Sequence, residues 1–323
     1  MLDPDMRAIL EQIGFDPMSG LAQAPLADAL ALVRNGPDPE PAKLIWRWEA
    51  IEIPASGGRI PARIYRPSPG VKPVALNFHG GGWVAGSVAK DDLRCQRLAM
   101  SSDCTVVSID YRLAPEHPYP AGFEDCYDAM RWVAANEDKL GVDASRMAVS
   151  GASAGANLAA ACAIRARDEG FSALALQLLL YPVIDGDLAY ENDVHRREMA
   201  GGPYYLTRAA MNWFWRRYCP DASTRTDQYA SPAHCGDLAG LAKATVIVAE
   251  LDPLAAEGRA YAERLRAAGV LTDVFTIEGV VHGFATLGPD LSHTRRATDI
   301  MASALATLHA RCSPEIYATE PRA

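Results

Sequence analysis

The chain has no C-x-x-C pair, no excess of basic residues and no apolar run long enough to cross a bilayer. Each absence removes a class of function. Its seven cysteines (95, 104, 126, 162, 219, 235 and 312) are scattered and odd in number, so neither a disulfide framework nor a zinc site is expected. Asp and Glu outnumber Lys and Arg by 40 to 31, a formal net charge of −9, which argues against a basic nucleic-acid surface. The opening "MLDPDMRAILEQIGF" lacks a basic region followed by an apolar stretch, the pattern of a secretory leader. Internal repeats and low-complexity tracts are missing too. A reduced, cytoplasmic protein with no membrane span, no metal and no cofactor is the expectation.

Apolar residues are plentiful: 49% of 323, enough for one large core with a covering segment. Residues 1–45 read as two amphipathic helices split by "FDPMSG" and closed by "NGPDPEP". "WRWEAIEIPASGGRIPARIYRP" alternates about a Gly-Gly turn and predicts an antiparallel strand pair. The rhythm then becomes strand, loop, helix. Strands are expected at Val74–Phe78, Cys104–Ile109, Arg146–Val149, Leu174–Leu180, Ala244–Ala249 and Thr272–Ile277. Helices are expected at Phe123–Asn136, Ala154–Asp168, Glu257–Ala268 and Thr294–Ala310. That alternation predicts an α/β fold with a mostly parallel sheet covered on both faces. The aromatic-rich stretch of about 186–232, with a helix opening at Thr207, breaks the rhythm and reads as an insertion. The main domain is then 46–311, followed by a polar tail at 312–323.

In an open parallel sheet, reactive groups gather beyond the carboxyl ends of strands. Four segments fit. "HGGGW" follows the first parallel strand; His79 and Gly80 open it, and the Gly81 and Gly82 N–H groups can converge on a developing oxyanion. "GASAG" places Ser153 between Gly151 and Gly155 in a strand-to-helix turn, with the Ala154 N–H beside it. "ELDP" places Asp252 past a strand end, and "VVHGF" places His282 after the last strand. A serine hydroxyl needs a neutral imidazole to accept its proton. The imidazole needs a carboxylate to hold its tautomer. The chain order Ser, Asp, His fits such a set. Trp83, with Trp213, Phe214, Trp215 and Tyr218, is a candidate lining for an apolar substrate pocket, although helical spacing equally suits a packed core. Glu250 and Asp185 are competing carboxylates; the first lies too near its strand end, the second opens the insertion and suits a turn cap. His117, His195, His234, His293 and His309 have no such partners.

The segments "FHGGGW", "DYRLAPEHPYPA", "GASAGANLA", "ELDPLAAEG" and "VHGF" resemble the hormone-sensitive-lipase-like esterases, bacterial family IV of the α/β-hydrolase fold. The resemblance runs from about Trp46 to Ala310. It implies Ser153 as nucleophile, His282 as base, Asp252 as acid, and Gly81, Gly82 and Ala154 as oxyanion hole. It further implies a helical cap built from the N-terminal helices and the insertion, short acyl esters as substrates, and a homodimer. Two departures stand out: Ala152 precedes the serine where the family writes an acidic residue or threonine, and Ala255 and Ala256 replace Arg and Asp after the acid. Alternatives on the same site are cleavage of an amide or carbamate. A small-ligand receptor or a lyase would require a lost or changed member of the set.

Overall fold

Residues around Gly57 and Gly58 form the expected hairpin. Strand β1 (Arg47–Ala55) pairs antiparallel with β2 (Gly58–Arg66), from Arg47 opposite Arg66 to Ala55 opposite Gly58. The computed structural model describes residues 1–310 except 19, 36, 37, 41 and 187–203. Residues 187–203 of the expected insertion, with His195 among them, and all of the expected tail therefore lie outside the described residues.

β2 runs antiparallel to β4 (Thr105–Ile109). Every later pairing is parallel: β3 (Lys72–Phe78), β5 (Val142–Ala152), β6 (Leu174–Leu180), β7 (Lys243–Leu251) and β8 (Thr272–Val281) complete an eight-stranded sheet in the order β1-β2-β4-β3-β5-β6-β7-β8. β3, β4 and β6 are mostly apolar on both faces and buried nearly throughout. Only strands sandwiched between helix layers can be so.

The helices are α1 (Pro4–Ile13), α2 (Leu26–Arg34), α3 (Asp92–Ser102), α4 (Ala121–Ala135), α5 (Glu137–Leu140), α6 (Ala154–Asp168), α7 (Arg208–Tyr218), α8 (Ala255–Ala267), α9 (Phe284–Leu287) and α10 (Ser292–Ala306). Two apolar cores result. One joins the sheet to α4, α6, α7 and α8 through residues such as Phe123, Leu158, Trp215 and Leu265. The other joins the opposite face to α1, α3 and α10 through Met6, Leu10, Leu98 and Met301. Helix α1 is thus part of a core as well as part of the N-terminal segment.

Helix α3 was not expected from the sequence. Its inward face carries Asp92, Gln96 and Ser102 beside Cys95, Leu98 and Ala99, so the apolar stripe that betrays a helix is broken. The buried polar groups are satisfied: Asp92 accepts from Arg63, Tyr65, Gln96 and the Ala42 N–H, and Gln96 bonds Ala42 and Leu44. Among the described residues no helix is long and apolar enough to cross a membrane.

Candidate active site

All four expected segments emerge at the carboxyl ends of parallel strands: His79 after β3, Ser153 after β5, Asp252 after β7 and His282 after β8. Ser153 sits at φ 55, ψ −118, between β5 and α6. A non-glycine residue in that region is strained by about 1–3 kcal/mol. The flanking glycines show what imposes the turn. A Cβ on Gly151 would lie 2.2 Å from the Gly155 carbonyl carbon, and one on Gly155 would lie 2.0 Å from the Phe78 oxygen. The residues around Ser153 are small because three backbones meet there, with the end of β3 pressed onto the first turn of α6.

The imidazole of His282 bridges two groups. Its Nε2 is 2.8 Å from Ser153 Oγ and its Nδ1 is 2.7 Å from Asp252 Oδ2. An ionised carboxylate only accepts, so Nδ1 carries the proton and Nε2 faces the serine hydroxyl as acceptor. Asp252 is fully buried, and its other oxygen accepts the Leu254 N–H at 2.8 Å. Both carboxylate oxygens are thereby fixed. Tyr181, at φ 36, lays its ring 4.8 Å from that of His282 and edge-on to Phe284. Burial pushes the Tyr181 hydroxyl above the ordinary phenol range, so it stays neutral.

The level of His282 is set by an irregularity in β8. Ala249 pairs with Ile277, but Leu251 pairs with Val281. Four residue steps on β8 thus match two on β7, and the surplus lies at Glu278, Gly279 and Val280. In an unbroken register Asp252 would stand level with Val280. The bulge brings His282 there instead.

The loop from His79 to Lys90 is tied at both feet. Asn77 Nδ2 donates to Asp91 Oδ2 at 2.8 Å, and Arg94 donates to Asp91 Oδ1 at 2.7 Å and to Asn77 Oδ1 at 3.0 Å. Burial lowers the Arg94 guanidinium, but Asp91 more than offsets it and holds it charged. Within the loop, Gly81 lies at φ 122 with the Ala85 oxygen 2.2 Å from where its Cβ would be, and Gly82 at φ 59 has the Phe214 ring 2.3 Å from its own. Among the described residues the Gly81 and Gly82 N–H groups have no hydrogen-bond acceptor. Ala154 opens α6, where an N–H lacks an intrahelical partner. Gly80 lies against Ser153, a Cβ there being 3.8 Å from the serine Cβ. His79 stacks on Tyr111 at 4.3 Å and accepts the Tyr111 hydroxyl at its carbonyl. Its ring is held neutral because burial lowers it below the usual histidine range.

Above Ser153 and His282 lies a cavity of about 420 Å³. Ile13 and Met18 wall it from the N-terminal segment with Leu32 and Val33 of α2, and Met211 and Phe214 wall it from α7. Trp83 does not line it, contrary to the sequence-based expectation. Its side chain is 1% exposed and stacks on Tyr218 at 4.3 Å and against Trp215 at 4.6 Å. Its left-handed backbone (φ 60) turns the indole away from the cavity and into the core beneath α7. The competing carboxylates point elsewhere. Asp185 lies 3.4 Å from His234, and Glu250 accepts the Gly279 N–H at 2.7 Å.

Arg34, the last residue of α2, latches that helix beside the site. Its guanidinium donates to the Val84 and Ala114 carbonyls and to both Glu116 oxygens. The hydrogen bond from Arg34 holds the Glu116 carboxyl down to about 2. A depressed carboxyl contributes stability above its unfolded range and loses it as pH falls toward the folded value. The latch is therefore intact at neutral pH and opens in acid between roughly pH 4.5 and 2. Because Leu32 and Val33 of the same helix face the cavity, Arg34→Ala is expected to raise KM by about fivefold, near the net worth of one hydrogen bond. Steady-state kinetics with kcat and Tm alongside check this; an unchanged KM would show that α2 does not shape the substrate site.

Comparison with known proteins bears on the fold and the family. A family model described as the α/β-hydrolase fold matches residues 75–286. The carboxylic ester hydrolase LipN of Mycobacterium tuberculosis is 41% identical over 244 residues, covering 73% of this chain and 64% of that protein. Carboxylesterase NlhH of the same species is 41% identical over 259 residues, covering 78% and 79%. A solved esterase of Pyrobaculum calidifontis superposes with a TM-score of 0.83 at 42% identity, covering 96% of this chain and 100% of that one. The chain belongs to the α/β-hydrolase family, in the hormone-sensitive-lipase-like carboxylesterase branch whose motifs it carries.

Proposed function

We propose that this chain hydrolyses short-chain carboxylic esters through an acyl-enzyme on Ser153. The observation that carries the reading is the unbroken relay from Asp252 to His282 to Ser153, with links of 2.7 and 2.8 Å, opening into an apolar-walled cavity. Ser153 Oγ attacks the ester carbonyl while His282 Nε2 takes its proton. The carbonyl oxygen becomes an anion facing the N–H groups of Gly81, Gly82 and Ala154. The imidazolium, held by Asp252, returns the proton to the departing alkoxide. Water then enters, gives its proton to the same nitrogen, and releases the acid.

A cavity of about 420 Å³ lies toward the small end of ligand sites, which supports short acyl chains. The N-terminal segment and α7, both contributing wall residues, act as the cap in this reading.

The test is covalent. An alkylphosphonate ester with a good leaving group is expected to add one phosphonyl group per chain and abolish hydrolysis of a chromogenic short acyl ester. Peptide mass spectrometry should place it on the peptide holding Ser153. Inactivation with the label on any other residue overturns the assignment.

A further inference from the structure

The bulge in β8 leaves a backbone donor without its sheet partner. At Gly279 the parallel ladder with β7 is interrupted, between the pairs Ala249–Ile277 and Leu251–Val281. The Glu250 carboxylate, on the β7 residue facing the break, accepts the Gly279 N–H at 2.7 Å. The Gly279 carbonyl is tied as well, accepting the Asp3 N–H at 2.8 Å. Gly279 itself lies at φ 71, and a Cβ there would approach Asp3 to within 3.1 Å. Both polar groups of the bulged residue are thus held from outside the ladder, three residues before His282.

We infer that Glu250 is a positioning residue for His282. Its carboxylate replaces the ladder acceptor that the bulge removes, and so fixes the level at which the imidazole leaves β8. The inference rests on the proposed role of His282 as base. Glu250 touches neither His282 nor the cavity; it acts only through the backbone of residues 279–281. The carboxylate serves here as an acceptor in the place of a ladder carbonyl. Its cost is small, because the Glu250 side chain remains 38% exposed and keeps part of its hydration. If the bulge relaxed by one residue, His282 would lose its level with Asp252. A misplacement of about 1 Å in a catalytic group costs up to about 10²-fold in rate.

Reach separates this role from charge. Glu250→Gln keeps an acceptor oxygen at the same distance and is expected to match the parent enzyme in kcat and KM. Glu250→Asp keeps the charge but falls short of Gly279, and Glu250→Ala removes the acceptor. Both are expected to lower kcat by about tenfold or more with KM unchanged, because the cavity wall is untouched. The spectroscopic readout is the Nδ1 proton shared by His282 and Asp252. Its far-downfield proton NMR resonance should persist in Glu250→Gln and move upfield or vanish in Glu250→Asp. Asp252→Asn and Ser153→Ala are assayed beside them. If those two remain active, the reading of the site has failed. If they are inactive while Glu250→Asp keeps full kcat and the resonance, the inference about Glu250 is overturned. A Glu250→Gln variant as impaired as Glu250→Ala overturns it too, since charge toward the amino group of Met1, 3.7 Å away, would then be what matters.

Discussion

Ser153→Ala is expected to lower kcat for an activated acyl ester by about 10⁴- to 10⁶-fold, the largest effect of any single change in this chain. The members of a nucleophile–base–acid set act as a unit, and in subtilisin loss of the serine alone costs about as much as loss of all three. What remains is rate enhancement from substrate binding and oxyanion stabilisation. The substitution is also structurally mild. Alanine at φ 55 bears the same strain as serine, the helix keeps its Asn157-to-Ser153 backbone bond at 3.0 Å, and one hydroxyl is deleted from the cavity floor. Tm and circular dichroism should therefore match the parent, so that lost activity reports chemistry. Binding should survive: the variant is expected to retain affinity for a non-cleavable ester analogue. Folded protein within tenfold of parent activity, with contaminating esterase excluded, would remove Ser153 from the mechanism.

How much of this site could be read in advance depended on how local its signals are. The glycines of "HGGG" and "GASAG" answer groups near and far in the chain, Phe78 for Gly155 and Phe214 for Gly82 among them, but each set occupies consecutive positions, so a short motif records it. The four strand ends were legible for the same reason. Trp83 was misread because aromatic composition does not say which way a side chain points, and its orientation follows from a left-handed φ that the sequence does not display. Helix α3 was missed because half of its buried face is polar: Asp92 and Gln96 pair with groups brought from as far away as Ala42 and Tyr65, and Ser102 donates to the Leu98 carbonyl of its own helix. The Asp91–Arg94–Asn77 tie belongs to the same class. Charged residues in a helix read as solvated surface until the fold closes over them. The bulge in β8 was illegible for a subtler reason. The sequence reading ends the strand at Ile277, whereas β8 resumes past the break and runs to Val281, and only its register against β7 reveals that two residues are surplus. That register decides which carboxylate meets His282.

Asp252→Asn is accordingly the second large effect, expected to lower kcat by about 10⁴-fold or somewhat less, the cost of the equivalent change in the serine-protease set. The structure gives the physical reason. Asp252 Oδ2 accepts from His282 Nδ1 while Oδ1 accepts the Leu254 N–H. An asparagine can keep the Leu254 bond only by turning its oxygen there, which aims its NH₂ group at Nδ1. That amide donates, so Nδ1 must give up its proton and Nε2 must carry one. The imidazole then presents a donor to Ser153 and no longer serves as its base. The fold should hold, because size and shape are kept and the buried site loses a charge. Asp185→Asn is the contrasting variant: its carboxylate lies beside His234, 22% exposed and away from the cavity, and most of the activity should remain. Rates for both variants on one activated ester, with circular dichroism to establish folding, decide the matter. Raising the pH should not restore Asp252→Asn, because the defect is a tautomer and not a protonated base. If Asp185→Asn were the crippled enzyme and Asp252→Asn the active one, with both folded, the carboxylate at the end of β7 would have no part in orienting His282.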